Sequence, residues 1–335
     1  MSKRVIATAL VALAPVLSSC GLLGGPDLVV YNAQHEELMT EIVPLFEEET
    51  GLEVELRNGK DLELANQLVA EGDQSPADVF LTENSPAMSI VDNAGLFTAV
   101  SEDALANIPD DYVPSSQNWT GILARSTVVM YNTGSSSAAE MPESILDFAD
   151  PEWEGRVGFS PTGHDFQAIV SAVLEAEGEE ATRDWLEGLA ANGTVLDNNL
   201  VVMQAVNEGE VEAGIAYHYY WYRDQQEAGD NSDNVQLHFF DGQDPGAFIS
   251  ISGAGVLAAS DQQENAQRFV EYLTAAEAQQ AMADSYALEY PLNPEASISG
   301  DTGVKPFDEL EPPAIDPATL NGPKVTELMT EAGLL

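Results

Sequence analysis

From residue 28 onwards, apolar runs with strand spacing alternate with amphipathic runs of helical spacing, and that alternation confines the chain to an α/β architecture. Leu28-Val29-Val30-Tyr31 reads as a strand. Leu38, Ile42, Leu45 and Phe46 then share one helical face, which Gly51 stops. Residues 52–56 alternate like a half-buried strand, 61–72 reads as a helix and 77–81 as a strand. Ser85-Pro86 opens a further helix, with proline at a tolerated first-turn position. Residues 121–131 (GILARSTVVMY) form an apolar strand pattern long enough to cross between two lobes, and 246–258 reads as a second crossing strand. Between them lie a strand at 156–160, a helix at 166–177 and a strand at 212–216 that runs into Tyr217-His218-Tyr219-Tyr220. The Pro-rich tail from 300 ends in a short helix near 322–333.

The first 20 residues are a separate piece. Lys3 and Arg4 precede an apolar run from Val5 to Leu17, and small residues follow before Cys20, as in a secretory signal. The run is too short to span a bilayer. Cys20 is the only cysteine, so no intrachain disulfide is possible. Leu17-Ser18-Ser19-Cys20 resembles the lipobox of bacterial lipoproteins. That resemblance implies a leader over 1–19, an acylated Cys20 at the mature N-terminus, a tether over 20–26 and a protein held by lipid on the outer face of the cell membrane. Acidic residues number 57 against 11 basic, a formal net charge of −46. Such a surface repels phosphate backbones, which excludes nucleic acid as a partner.

His35, Glu83, Asp165 and the Tyr219–Tyr220 pair all follow the carboxyl end of a predicted strand and stand at or before a helix start. Ligands of open α/β sheets bind in the crevice at that edge. Two phenols, a carboxylate and an imidazole suit a hard cation. Free phenols have a pKa of about 10. A small trivalent cation displaces their protons far more readily than Ca²⁺, Mg²⁺ or Zn²⁺ does, which favours Fe³⁺. No nucleophile–His–acid set, P-loop or dinucleotide fingerprint is present, so the chain reads as a binding protein and not an enzyme.

Six segments in order, YNAQHEE (31–37), SPADVFLTENSPA (75–87), NNLVVMQAVNEGE (198–210), YHYYW (217–221), DPGAFISISGAGVL (244–257) and EYPLNP (289–294), resemble the periplasmic ferric-ion-binding proteins. The resemblance spans nearly all of the mature chain. It implies a two-lobe Venus-flytrap fold hinged on crossing strands, with one lobe from 27–123 and 250–299 and the other from 124–249 and 300–335. It implies that His35, Glu83, Tyr219 and Tyr220 hold Fe³⁺ between the lobes of a monomer, which delivers it to an ABC-type permease.

Many members of that family complete the iron site with phosphate or carbonate, held after a Pro-Thr at a helix start and by an asparagine. Pro161-Thr162 and Asn199 match that pattern. Gly163-His164-Asp165 departs from it, as does Tyr217, where relatives often have asparagine. Asp165 reads either as the cap of the following helix or as a built-in carboxylate that replaces the anion. Arg125 matches a recurrent arginine and reads either as an anion partner or as a hinge ion pair. Two rival functions stand beside iron capture: a binding protein for another small solute such as thiamine, a polyamine or an oxyanion, and a metal-dependent hydrolase outside the cytoplasm.

Overall fold

The computed structural model describes residues 25–335. The leader, Cys20 and all but the last two residues of the tether lie outside them. The described chain alternates as the pattern predicts. Strand β1 (Leu28–Ala33) leads into helix α1 (Glu36–Thr50), followed by β2 (Val54–Asn58), α2 (Asp61–Glu71), β3 (Val79–Thr82), α3 (Ser85–Asn93) and the short α4 (Glu102–Ala106). Helix α1 buries Leu38, Met39, Ile42, Val43 and Phe46. It ends at Gly51, whose left-handed φ of 73° costs no Cβ clash. Leu45, expected on the buried face, is 44% exposed because Met39 and Val43 complete the stripe instead.

Strand β4 (Trp119–Asn132) is buried along its whole length. It is followed by β5 (Val157–Phe159), α5 (His164–Asn192), β6 (Thr194–Val195), α6 (Asn199–Glu208), β7 (Ala213–Tyr217), α7 (His218–Glu227) and β8 (Val235–His238). The chain closes with β9 (Ile249–Val256), α8 (Gln263–Thr274), α9 (Ala276–Ala283), β10 (Tyr290–Pro291) and α10 (Gly322–Glu331). The helix predicted over 166–177 is longer at both ends. It is broken at Gly178 (φ 83°), and its second arm runs to Asn192.

Sheet order is β2-β1-β3-β9-β4-β7-β5-β6, with β8 and β10 also on β4. Strands β1, β2 and β3 run parallel, as do β5, β6 and β7. Strand β4 joins the two halves. Its first part pairs antiparallel with β9, from Trp119 opposite Gly255 to Ser126 opposite Ile249. From Thr127 onwards it pairs with β7 and β8. The chain therefore passes from one half-sheet to the other at Ser126–Thr127. Each half-sheet has its own apolar core: Leu28, Val30, Phe46 and Phe269 on one side, and Phe148, Phe159, Phe166 and Trp185 on the other.

Helix α6 lies so close to β7 that a Cβ on Gly214 would stand 2.5 Å from Val202 Cγ1 and 3.0 Å from Val206 Cγ2. Valine on a helix has one strongly preferred rotamer and cannot swing away. Gly214→Ala therefore destabilises the metal-free protein by about 1–3 kcal/mol, read by urea unfolding. Unchanged stability would mean that α6 can lift off the strand.

Candidate metal centre

Four sheet-edge elements supply the site. His35 follows β1 as the residue before α1, and Glu83 follows β3 just before α3. Asp165 is the second residue of α5, and Tyr219 and Tyr220 lie in the first turn of α7, directly after β7. The strands end side by side, so the residues meet.

The Tyr219 hydroxyl donates to Glu83 Oε1 at 3.3 Å. His35 Nε2 lies 3.6 Å from the same oxygen. The two tyrosine rings stack at 4.2 Å between centroids, and the Tyr220 hydroxyl donates to Asp165 Oδ2 at 3.0 Å. His35 and Glu83 each keep 20% of their side-chain surface exposed, so solvent reaches the cluster. A cavity of about 360 Å³ opens beside them. No three His, Cys, Asp or Glu side chains among the described residues close on one metal position. The phenols are needed to complete a donor set.

Asp165 does not cap its helix. The cap position is Gly163, and the Asp165 carboxylate turns instead to Tyr220, to Asn199 Nδ2 at 2.8 Å and to Asn84 Nδ2 at 3.2 Å. Tyr217 donates to Asn84 Oδ1 at 3.4 Å and to the Asp165 carbonyl at 3.3 Å. Thr162, Gly163 and His164 bring no side-chain hydrogen bond to the cluster. His164 lines a small pocket behind it with Asp61 and Asn84.

Arg125 is fully buried on β4, one residue before the crossing point. It donates to the Glu83 carbonyl and to Ser252 Oγ (2.8 Å), and lies 3.1 Å from Glu289 Oε2. Arg125 is thus ion-paired beside the crossing point, and its partner, Glu289, has no role that the sequence alone reveals. Glu289 belongs to EYPLNP, one of the six resembling segments, and that was the one available signal. Asn84 and Asp61 were missed as well. Asp61 accepts from the backbone N–H groups of Glu83 and Asn84 at 2.9 and 3.2 Å and so fixes the Glu83 loop.

The electrostatics follow from burial. Burial foremost, with Asp165 next, pushes the Tyr219 and Tyr220 phenols well above 10, so both are protonated in the metal-free protein. Burial and the Glu83 charge push Asp165 up to about 6. They push Asp61 up to about 8. Burial would raise Glu289, yet Arg125 and His35 hold it at about 2. Burial opposes a charge on His35, but Glu83 and Glu289 outweigh it and raise its pKa. His218 is neutral: burial drives it down to about 3. The Ser126 N–H donates to its Nδ1, which leaves Nε2–H to donate to the Leu288 carbonyl at 3.1 Å.

Residues 74–305 match the family described as "Bacterial extracellular solute-binding protein". The chain is 51% identical over 308 residues to an Fe(3+)-binding periplasmic protein of Serratia marcescens, covering 92% of this chain and 90% of that one. It is 34% identical to the major ferric iron-binding protein of Neisseria gonorrhoeae, covering 98% and 97%. Among solved structures, iron-bound HitA from Pseudomonas aeruginosa superposes with a TM-score of 0.84 at 38% identity, covering 92% of this chain and 99% of that one. These relatives are binding proteins by description, not enzymes. The chain has the two-lobe periplasmic-binding fold and acts outside the cytoplasm. It belongs to the ferric-ion-binding proteins among the bacterial extracellular solute-binding proteins.

Proposed function

We propose that this protein captures ferric iron between its lobes through His35, Glu83, Tyr219, Tyr220 and Asp165, and hands it to an ABC-type permease. The observation that carries the reading is the meeting of Tyr219 with Glu83 and of Tyr220 with Asp165, beside His35. The descriptions of the Serratia and Neisseria relatives support the cargo. The Tyr219 hydroxyl and Glu83 Oε1 lie 3.3 Å apart, close enough for one ion to be held by both. Two phenolates, two carboxylates and an imidazole leave one position of an octahedron for water. Asn199, the residue that would hold an exogenous anion, donates to Asp165 instead. That supports Asp165 as the built-in replacement for phosphate or carbonate. The test is the visible spectrum with metal analysis: iron-loaded protein carries a tyrosinate-to-iron charge-transfer band that a chelator removes. Loaded protein without the band would overturn the reading.

In this reading the lobes comprise 27–123 with 250–299 and 124–249 with 300–335. Val304, Phe307 and Leu310 depart from that division, because they pack against the first-lobe core that holds Tyr290 and Leu292. Helix α10 packs with α5 in the second. Cys20 anchors the chain by acylation. Each buried CH₂ of an acyl chain contributes about 0.8 kcal/mol, and two or more chains attach stably. Cys20→Ala thus yields protein that is unprocessed or released from membranes, read by fractionation and mass. Processed Cys20→Ala protein that stays on the membrane would refute the anchor.

A further inference from the structure

Glu289 lies far from every predicted ligand in sequence, yet it is completely buried among them. One of its oxygens is 3.1 Å from His35 Nε2, and the other is 3.1 Å from the Arg125 guanidinium. Neither contact is aligned as a hydrogen bond, so both Glu289 oxygens, His35 Nε2 and Arg125 Nε are buried without an aligned partner. Buried polar atoms in that condition are uncommon and call for a physical reason.

The backbone around Glu289 is equally constrained. Leu288 adopts a left-handed φ of 54°, a conformation that a branched side chain takes up only when its surroundings enforce it. Its carbonyl accepts from His218 Nε2, and Tyr290 stacks flat on the His218 ring at 4.5 Å and 11°. His218 immediately precedes Tyr219. Three consecutive residues, 288–290, therefore touch both halves of the donor set: the Tyr219–Tyr220 turn through His218, and His35 directly.

We infer that Glu289 is a positioning residue for the metal: its carboxylate keeps the Arg125 charge away from Glu83 and holds the His35 ring beside the cluster by charge attraction. The first part follows from distances. Arg125 lies 3.1 Å from Glu289 but 3.9 Å from Glu83 Oε1. With Glu289 neutral, the buried guanidinium has only Glu83 left as a near carboxylate, and closing that gap draws the carboxylate away from the cargo. This inference rests on the ferric reading of the site.

The experiment compares purified wild type with Glu289→Gln, which keeps shape and removes charge. Iron affinity is read by citrate competition, the charge-transfer band by visible absorption, and folding by thermal melting of the metal-free protein. The expected result is a folded variant that binds iron about 10–100-fold more weakly, the range seen when a ligand's supporting partner is lost, with a shifted band. A lowered melting temperature with wild-type affinity and an unmoved band would overturn the inference, because it describes a merely structural residue. If Glu289→Gln does not fold, Glu289→Asp decides. It keeps the charge and shortens the reach, so it must also weaken binding and move the band, and wild-type values for both would overturn the inference. A colourless iron-loaded wild type would instead overturn the ferric reading, and this inference with it.

Discussion

Tyr219→Phe and Tyr220→Phe each weaken iron binding by more than the 10–100-fold typical of losing a supporting partner, and the double variant is colourless. Each substitution keeps the stacked ring and removes only the donor oxygen. The loss is large because the phenols are the strongest anionic donors the site can make. Both are protonated without metal, since burial first and Asp165 next raise them well above 10. Iron must displace those protons, so binding is in competition with H⁺ and tightens as pH rises. The two phenol protons give about 100-fold in apparent affinity per pH unit, and the slope is steeper still towards pH 6, where His35, its pKa raised by Glu83 and Glu289 against the effect of burial, must also lose a proton. Each Tyr→Phe variant lowers that slope by about tenfold per pH unit. Citrate competition between pH 6 and pH 8 measures both quantities. Variants that retain full colour, affinity and slope would remove the tyrosines from the site.

Asp165→Ala converts an anion-independent protein into an anion-dependent one. In the native protein, iron affinity changes little between phosphate, carbonate and anion-free buffers, because the Asp165 carboxylate already occupies the place that Asn199 and Asn84 address. Removing it frees those amide donors and opens space at the start of α5, where unpaired backbone N–H groups favour negative charge. The variant then loses at least about tenfold in affinity in anion-free buffer and recovers on adding phosphate or carbonate. Iron binding by the wild type only with a bound anion would show that Asp165 does not fill this role.

Much of this was legible in the sequence, for identifiable reasons. Val79–Thr82 is a nearly uninterrupted apolar run, and Trp119–Asn132 is largely apolar on either side of Arg125-Ser126-Thr127; strands covered on both faces demand that pattern. His35, Glu83, Asp165 and the Tyr pair were visible because each stands where a strand pattern gives way to a helix. What stayed hidden has no periodic signature. Glu289 stands just before a two-residue strand, after a turn, and only the folded chain places its carboxylate beside Arg125, 164 residues away in sequence numbering. Asp61 reads as an acid in the first turn of α2, and nothing local says that it accepts from the Glu83 and Asn84 backbone. Leu45 was misplaced because a 15-residue helix packed on one side offers two adjacent stripes, and tertiary contacts choose between them.

Strand β4 passes from one half-sheet to the other without a break, so the two halves stay tethered by an unbroken backbone when the cleft opens. Opening would rotate dihedrals at Ser126–Thr127 and in the neighbouring chain that enters β9 at Phe248–Ile249. Its energetic cost includes the contacts that face each other across the gap, Tyr219 with Glu83, Asn84 with Asp165 and Tyr217 with Asn84, at 3.3, 3.2 and 3.4 Å, besides the His218 bond to Leu288 and its stack on Tyr290. Each of the first three is a long hydrogen bond that water replaces almost evenly, worth about 1 kcal/mol net. A trivalent ion that meets donors from both halves would favour the closed form by its differential affinity. Withdrawing the ion removes that bias, so the same tethered cleft is free to reopen for another cycle.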